Sequence, residues 1–561
     1  MSGGILTPVS IWNDFNIEGE RNVKIAEEYI SDGVIVSRFY IDGKKTDGAP
    51  VRIFCVSARS EKISLIPCIY VLSDFDKDID EDFLVMLAKR GYFAFSTDFS
   101  GAKEGKKYYT AYPSGSEYAN YLNAKSNLCD ISGDVRSTAW YEWDCVGKYA
   151  LSYVSTLPFI TGTGAVGVGK GASVLWHLAA NNEKLSAAAF LLDAGWNAYF
   201  NKNNCKFDGE APEFNDSDMK FLAGVDAQAY APFVNIPSLI LSATNSAEYD
   251  FDRAADTITR INKAVYSAID YSVNASRVLD SAAFTDLTVF LDAILLKGYK
   301  PEAVFPAPPD IDCEIDDGKI EIEVDAVKSG LKKVILYAAE GKIKQQYRAW
   351  KIGGEIYADD LCDGQFFFNY VPYGYSGVCY FFVRAEYENG FTVASNVINK
   401  KFTDGEIQNP NKSKVIFSGR ERFCGSVFAP FYDENSHSFI DAEKRLSVKK
   451  GPMDIYGIYS ETGLITYKIN AEKDKPAADS IFLIDVYFET DANISVSLIA
   501  ADKKEYSFII SAQASKVWRN YKIAVNKFKS ADGFYMKDYS LAVAIKITGE
   551  GKYLINNFLW I

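Results

Sequence analysis

The chain has 561 residues, 48% of them hydrophobic, with 60 basic and 74 acidic side chains and a net charge of −14. At about 150 residues per domain this length predicts three or four domains, and an acidic balance without a basic stretch argues against nucleic acid and anionic membranes, which need clustered Lys and Arg to meet phosphates. No apolar run reaches the roughly 20 residues of a bilayer span, and the opening Met1-Ser2-Gly3-Gly4-Ile5-Leu6-Thr7 has neither a charged nor an apolar leader region, so the chain reads as soluble, and as cytoplasmic unless a leader has been removed.

Nine cysteines form an odd set without a C-x-x-C pair, which points to buried reduced thiols rather than a disulfide framework or a zinc site. There are only two histidines, His177 and His437. Any mechanism with an imidazole base must use one of them.

In the first 300 residues short β-rich runs alternate with amphipathic helices, the pattern of a doubly wound α/β sheet. Strands are expected at 66–72, 92–98, 165–168, 187–192 and 238–242. Helices are expected at 81–90, 141–157, 172–181 and 287–296. Pro301, Pro306, Pro308 and Pro309 then predict a stiff linker. Beyond it helical periodicity stops, and the period-two run Lys319-Ile320-Glu321-Ile322-Glu323-Val324 opens a β-only region of about 100 residues that suits an immunoglobulin-like β-sandwich. A second polar break at 405–412 precedes about 150 further β-only residues, with strands at 464–469, 481–488, 494–499 and 541–547, a count that fits a β jelly roll. The expected domains are therefore 1–300, 301–405 and 406–561.

Strand, glycine turn and helix around Gly167-Val168-Gly169-Lys170-Gly171 form the setting of the G-x-S-x-G nucleophile elbow. With its flanks, Gly91-Tyr92 before a strand ending in Asp98 and a long helix leading into the elbow strand, this half resembles the α/β-hydrolase superfamily, and within it acetyl-xylan-esterase-like and dienelactone-hydrolase-like members. The resemblance puts Gly169 at the nucleophile position, where it has no side chain. It puts Ser246 at the acid position after the strand opened by Ile236-Pro237. It asks for a base within 269–286, where there is no histidine. His177 lies two turns into the elbow helix, pointing away from the turn, and reads as a packed or hydrogen-bonded helix residue; His437 reads as an exposed loop residue. Loss of nucleophile, acid and base together removes the proton relay, so the expectation is a retained scaffold without catalytic residues.

Gly164 to Lys170 also matches G-x-x-x-x-G-K, with Phe190-Leu191-Leu192-Asp193 imitating a Walker B strand. However, Gly171 stands where Ser or Thr should hold Mg²⁺, and the first glycine precedes the strand residues instead of following them. No cofactor and no metal are therefore expected. Around the elbow, Trp140, Tyr141, Trp143, Trp196 and Tyr199 with Ser73, Asp74 and Lys170 are candidates to line a pocket for a sugar ring; ordinary core packing is the other reading of these aromatics. Glu248, Asp250 and Asp252 are read as a cation cluster or, better, as a site where Asp252 caps a helix at 253–262.

The last 150 residues, through Val517-Trp518-Arg519-Asn520-Tyr521-Lys522 and the closing strand 553–560, resemble the galactose-binding-like jelly rolls found as carbohydrate-binding modules. The resemblance makes Tyr456, Tyr459, Tyr487 and Trp518 the candidate sugar-stacking residues. Relatives carry Asp near Asn556, so a structural calcium is not assured by this sequence. Taken together, the expected function is noncatalytic binding of a carbohydrate ligand, with no nucleic acid or membrane partner and an open oligomeric state. An esterase of acetylated polysaccharide with a displaced nucleophile and an assembly scaffold are the alternatives.

Overall fold

The computed structural model describes residues 4–561 except 18, 20, 63–64, 182–183, 208, 278, 342–343, 349, 361–364, 373–375, 408–414, 419–446 and 461–462. His437, Cys362 and Cys424 thus lie outside the described residues. The chain divides into two compact units, one comprising Met1–Ser242, Glu248–Asp270 and Ala282–Pro308, the other Ala243–Ala247, Tyr271–Ser281 and Pro309–Ile561.

The first unit is built on a nine-stranded sheet of β1 (Lys24–Ser31), β2 (Val34–Thr46), β3 (Ala49–Ser60), β4 (Ile66–Leu72), β5 (Phe93–Thr97), β6 (Ile160–Val168), β7 (Leu185–Leu191), β8 (Ser238–Ala243) and β9 (Ser267–Ser272), in the order β1-β2-β3-β5-β4-β6-β7-β8-β9. From β5 through β8 the pairs are parallel, and β4, β5, β7 and β8 are buried along almost their whole length and β6 over Thr163–Gly167, as parallel strands covered on both faces must be. The strands β1, β2 and β3 extend the sheet antiparallel. Their turns, Asp32-Gly33 and Asp47-Gly48, take positive φ at both residues, the two-residue hairpin geometry that Asp-Gly favours.

Three helices matter for the elbow: α1 (Glu81–Lys89), α2 (Ala139–Val154) and α3 (Lys170–Asn181). Asp80 caps α1 by accepting from Phe83 N–H, and Thr138 caps α2. Of the 16 residues of α2, only Tyr141, Ser152 and Tyr153 are not buried, so it is a core helix and not a surface one. On α3, Trp176 stacks on Phe190 of β7 with ring centroids 3.6 Å apart. The proline segment is no free linker: Pro301, Phe305 and Pro306 are buried, and Tyr266 Oη donates to Pro306 O at 2.8 Å.

In the second unit, β10 (Asp310–Asp316), β11 (Lys319–Asp325) and β14 (Phe366–Tyr370) make one sheet, and β12 (Leu331–Glu340), β13 (Lys351–Tyr357), β15 (Gly377–Tyr387), β16 (Thr392–Ala394) and β17 (Ile398–Phe402) make another. The remaining strands form two more sheets. One runs β19-β20-β27-β22-β25, from Ser447–Lys450, Tyr456–Tyr459, Tyr553–Trp560, Ile481–Phe488 and Arg519–Ala524, with β18 (Val415–Ser418) on β27. The other runs β21-β26-β23-β24, from Leu464–Thr466, Ala542–Glu550, Ala492–Ala500 and Glu505–Ala512. Alternate residues of β22, namely Phe482, Ile484, Val486 and Phe488, share one apolar core with Ile494, Val496 and Leu498 of β23 and Ile545 and Ile547 of β26, so these two sheets pack face to face.

Candidate functional site

The elbow is present as geometry. Gly169 joins β6 to α3 with φ +55°, a left-handed conformation that costs glycine least. Its N–H donates to Leu191 O at 2.9 Å. Gly171 is required for a different reason, since a Cβ there would collide with the carbonyl oxygens of Leu72 and Ser73.

The space above Gly169 is filled. An ideal Cβ on Gly169 would lie within 3.0 Å of both the Asp74 carboxylate and the Tyr249 hydroxyl. Asp74 Oδ1 accepts from Phe75 N–H at 2.9 Å and from Lys170 N–H at 3.3 Å, while Oδ2 accepts from Tyr249 Oη at 3.3 Å. The Lys170 ammonium sits 3.9 Å from Asp74 Oδ1 and 5.7 to 5.8 Å from the ring centroids of Tyr121 and Tyr249. Burial works to lower the Lys170 ammonium, but Asp74, Tyr121 and Asp76 outweigh it and hold it above its ordinary value. Burial drives the Tyr249 phenol well above its usual range, with Asp74 adding to the effect. Ser73, half-buried, contributes its backbone carbonyl against Gly171.

The other expected residues separate. Trp140 and Trp143 are packed in the core: their indoles are buried and donate at 2.9 Å to Leu128 O and Ala119 O. Tyr141 stacks on Trp12 at 5.1 Å. Trp196 takes φ +64°, lies 4.6 Å beneath the Arg260 guanidinium and packs on Tyr199 at 5.3 Å. His177 is fully buried; its Nε2 donates to Val225 O at 2.6 Å, and its Nδ1 faces both Asp144 oxygens at 2.8 Å. It is the hydrogen-bonded core histidine that its position on α3 predicts. The helix expected at 253–262 is Ala254–Ile258, and its N-cap, Arg253, carries no side-chain cap. Asp250, not Asp252, accepts from Arg253 N–H, at 3.3 Å, and pairs with its guanidinium at 2.6 Å, because Asp250 is the residue three positions before that amide.

Of the stretches that the resemblance assigns to acid and base, Ala243–Ala247 and Tyr271–Ser281 belong to the second unit. Asn245 Nδ2 donates to Arg348 O at 2.6 Å, and Gln345 Nε2 donates to Ser246 O at 2.7 Å. Asn274 exchanges two bonds with the Trp350 backbone, at 2.8 and 2.9 Å. These loops are tied down by their own polar groups.

On the six-stranded sheet, Trp518 and Tyr487 come together, with centroids 5.9 Å apart and planes at 52°. The Trp518 indole donates to Pro452 O at 3.1 Å, and its ring lies where Cβ atoms on Gly451 or Gly457 would stand, at 2.7 Å. Tyr487 lies opposite the core face of β22, as does Asp485. Asp485 pairs in register with Asn520 and Asn557 on the flanking strands and accepts from their amides at 2.8 and 3.1 Å. Tyr459 packs instead on Tyr553, 5.7 Å away, at the edge of the core, and Tyr456 lies under Lys450. Asn556 donates to Tyr456 O at 2.6 Å. Among the described residues no group of three or more His, Cys, Asp or Glu is placed to hold a metal, and no helix is long and apolar enough to cross a membrane. Of the described cysteines, Cys55, Cys68, Cys145 and Cys379 are buried, Cys129 is exposed, and Cys205 and Cys313 are partly exposed.

Sequence reasoning passed over Tyr249, Phe75, Asp485, Asn520 and Asn557. A signal existed for Asp485, the one carboxylate in the otherwise apolar and aromatic β22. None existed for Tyr249, which reaches Asp74 across 175 positions of sequence.

No family model matches the chain, and no curated protein does. Solved structures similar to its N-terminal half do exist. A Paenibacillus acetyl xylan esterase shares 13% identity over 49% of this chain and 89% of its own, with a TM-score of 0.38. Acetyl xylan esterase 1 from Thermoanaerobacterium shares 12% over 48% and 87%, with a TM-score of 0.35. A cold-adapted esterase from an Arctic intertidal metagenomic library shares 14% over 48% and 98%, with a TM-score of 0.33.

Proposed function

We propose that the chain is a noncatalytic glycan-binding protein: an α/β-hydrolase-type scaffold without its triad, an immunoglobulin-like β-sandwich and a jelly roll that holds the sugar. The observation that carries this reading is the filled elbow. The volume a serine side chain needs at Gly169 is taken by Asp74 and Tyr249, and the N–H of Lys170 is bound to Asp74. In working hydrolases the N–H after the nucleophile stabilises the oxyanion. A carboxylate in that place opposes the charge that acyl transfer must develop.

The binding half of the reading rests on the Trp518 and Tyr487 rings beside the Asp485, Asn520 and Asn557 row. Aromatic faces receive the C–H faces of pyranose rings, and carboxylate and amide groups hydrogen-bond the hydroxyls.

Two measurements test the proposal. Purified protein given p-nitrophenyl acetate and acetylated xylan should turn over neither above a denatured control. Turnover that titrates with a serine-directed phosphonate would establish the esterase reading, and the labelled residue would identify the displaced nucleophile. Affinity gels containing xylan, xyloglucan or mixed-linkage β-glucan should retard the protein; unchanged migration in all of them would leave a scaffold.

A further inference from the structure

Within 503–537, eight Lys and Arg side chains face two carboxylates, Glu505 and Asp532, in a chain whose overall charge is −14. They are dispersed through 35 positions, so no basic run shows in the sequence, and the fold sets Lys504 and Lys529 against one hairpin. Both strands of this stretch end their sheets' strand orders among the described strands, β24 beside β23 and β25 beside β22. The following hairpin is bridged to β24 through Ser507 and Lys529, and Lys529 in turn to Tyr535.

The hairpin tip is built to display rings. Gly533 N–H donates to Ser530 O and Ser530 N–H to Phe534 O, both at 2.8 Å. Met536 is buried as an anchor. Phe534 and Tyr535 are then left 64% and 49% exposed. Cations flank both rings: Lys504 lies 5.7 Å from Phe534, and Lys529 lies 5.0 Å from Tyr535. Lys503, Lys527 and Lys537 stand exposed beside them, and Arg519 and Lys522 continue along β25. None of these cations is paired with a carboxylate among the described residues, and Glu505 is engaged by Lys546 at 3.2 Å.

We propose that this edge binds an acidic polysaccharide, a polymer of pyranose rings bearing uronate carboxylates. This extends the glycan reading to a second surface. Exposed rings suit pyranose faces, and unpaired ammonium groups suit carboxylates spaced along a chain. Alternate residues of a strand stand about 6.6 Å apart, so cations carried along such edges form a sparser array than the one charge per about 1.7 Å of duplex DNA.

The test uses the intact protein in affinity gels and titrations with polygalacturonate and glucuronoxylan, with unsubstituted xylan, single-stranded DNA and phosphatidylserine vesicles alongside. Polygalacturonate should bind at 50 mM salt and lose at least tenfold in affinity by 500 mM. Lys504→Glu with Lys529→Glu should cost at least tenfold, and Phe534→Ala with Tyr535→Ala should weaken binding at every salt concentration. Lys529, Phe534 and Tyr535 are exposed and Lys504 is partly exposed, and an unchanged melting curve verifies folding. Equal or tighter binding of DNA or vesicles would overturn the glycan assignment, as would no binding of either acidic polymer. Retention by neutral xylan with none by polygalacturonate would sink this proposal and leave the preceding one standing; retention by polygalacturonate with none by xylan, xyloglucan or mixed-linkage β-glucan would do the opposite.

Discussion

The Asp74 carboxylate occupies the position that a side chain on Gly169 would take, held there by the N–H groups of Phe75 and Lys170. Restoring a serine is therefore a packing problem before it is a catalytic one. Gly169→Ser should destabilise the protein by about 1–3 kcal/mol, from left-handed strain and from overpacking, and should not create esterase activity. Adding Asp74→Ala should recover part of that loss, because the two sites share one volume. Urea denaturation of the two single variants and the double variant measures the coupling; strictly additive losses would contradict the shared volume.

Trp518 lies over the two glycines of its strand floor, so one face of the ring is committed to the protein. Trp518→Ala should abolish retardation by neutral glycans, while Tyr456→Ala, under Lys450, should leave it intact. Equal effects of the two substitutions would place the sugar elsewhere.

His177 and Asp144 form a buried pair in which Nε2–H is spent on Val225 O and the Nδ1 contact shares a further proton. Burial pushes the Asp144 carboxyl up, and the charge on His177 pulls it back. His177→Ala orphans that carboxyl and should cost about 3–5 kcal/mol. The double variant with Asp144→Ala should cost less than the sum of the single losses. No effect on glycan retention is expected from either.

Asp226 is buried, and burial pushes its carboxyl up to about 7 against two backbone N–H donors, Asn197 and Ala198. Between about pH 4 and pH 7 the native state keeps a proton that the unfolded chain has released, so stability should fall as pH rises through that window. Its contribution is complete below about pH 4 and gone above pH 7. Asp226→Asn cannot ionise and should flatten the slope; urea midpoints at pH 5 and pH 8 for both proteins give the comparison.

Much of the α/β half was legible because parallel strands announce themselves as continuous apolar runs: the expected 66–72 strand is β4 (Ile66–Leu72), and the elbow turn falls where its glycines stand. The expected strands 481–488 and 553–560 are β22 (Ile481–Phe488) and β27 (Tyr553–Trp560). The hairpins β1 to β3 were missed although Asp32-Gly33 and Asp47-Gly48 announce their turns. Their strands carry charges on the open face, which blurs the apolar signal. The filling of the elbow could not be read at all, since it depends on Asp74 and Tyr249 meeting Gly169 from distant parts of the sequence. The core role of Trp140 and Trp143 was illegible for a related reason: an aromatic on a helix reads the same whether its face meets ligand or protein.

The second unit draws Ala243–Ala247 and Tyr271–Ser281 from between segments of the first, and Asn245 and Asn274 fasten those segments to the backbones of Arg348 and Trp350. No single peptide-bond cleavage can therefore release the two units as finished pieces. A fragment starting at Pro309 would have unanswered hydrogen-bonding groups where two absent loops belong. In such a chain the C-terminal half cannot be completed on the ribosome by its own residues alone, and it cannot be transplanted into another protein as a cassette without carrying 16 residues of its neighbour with it.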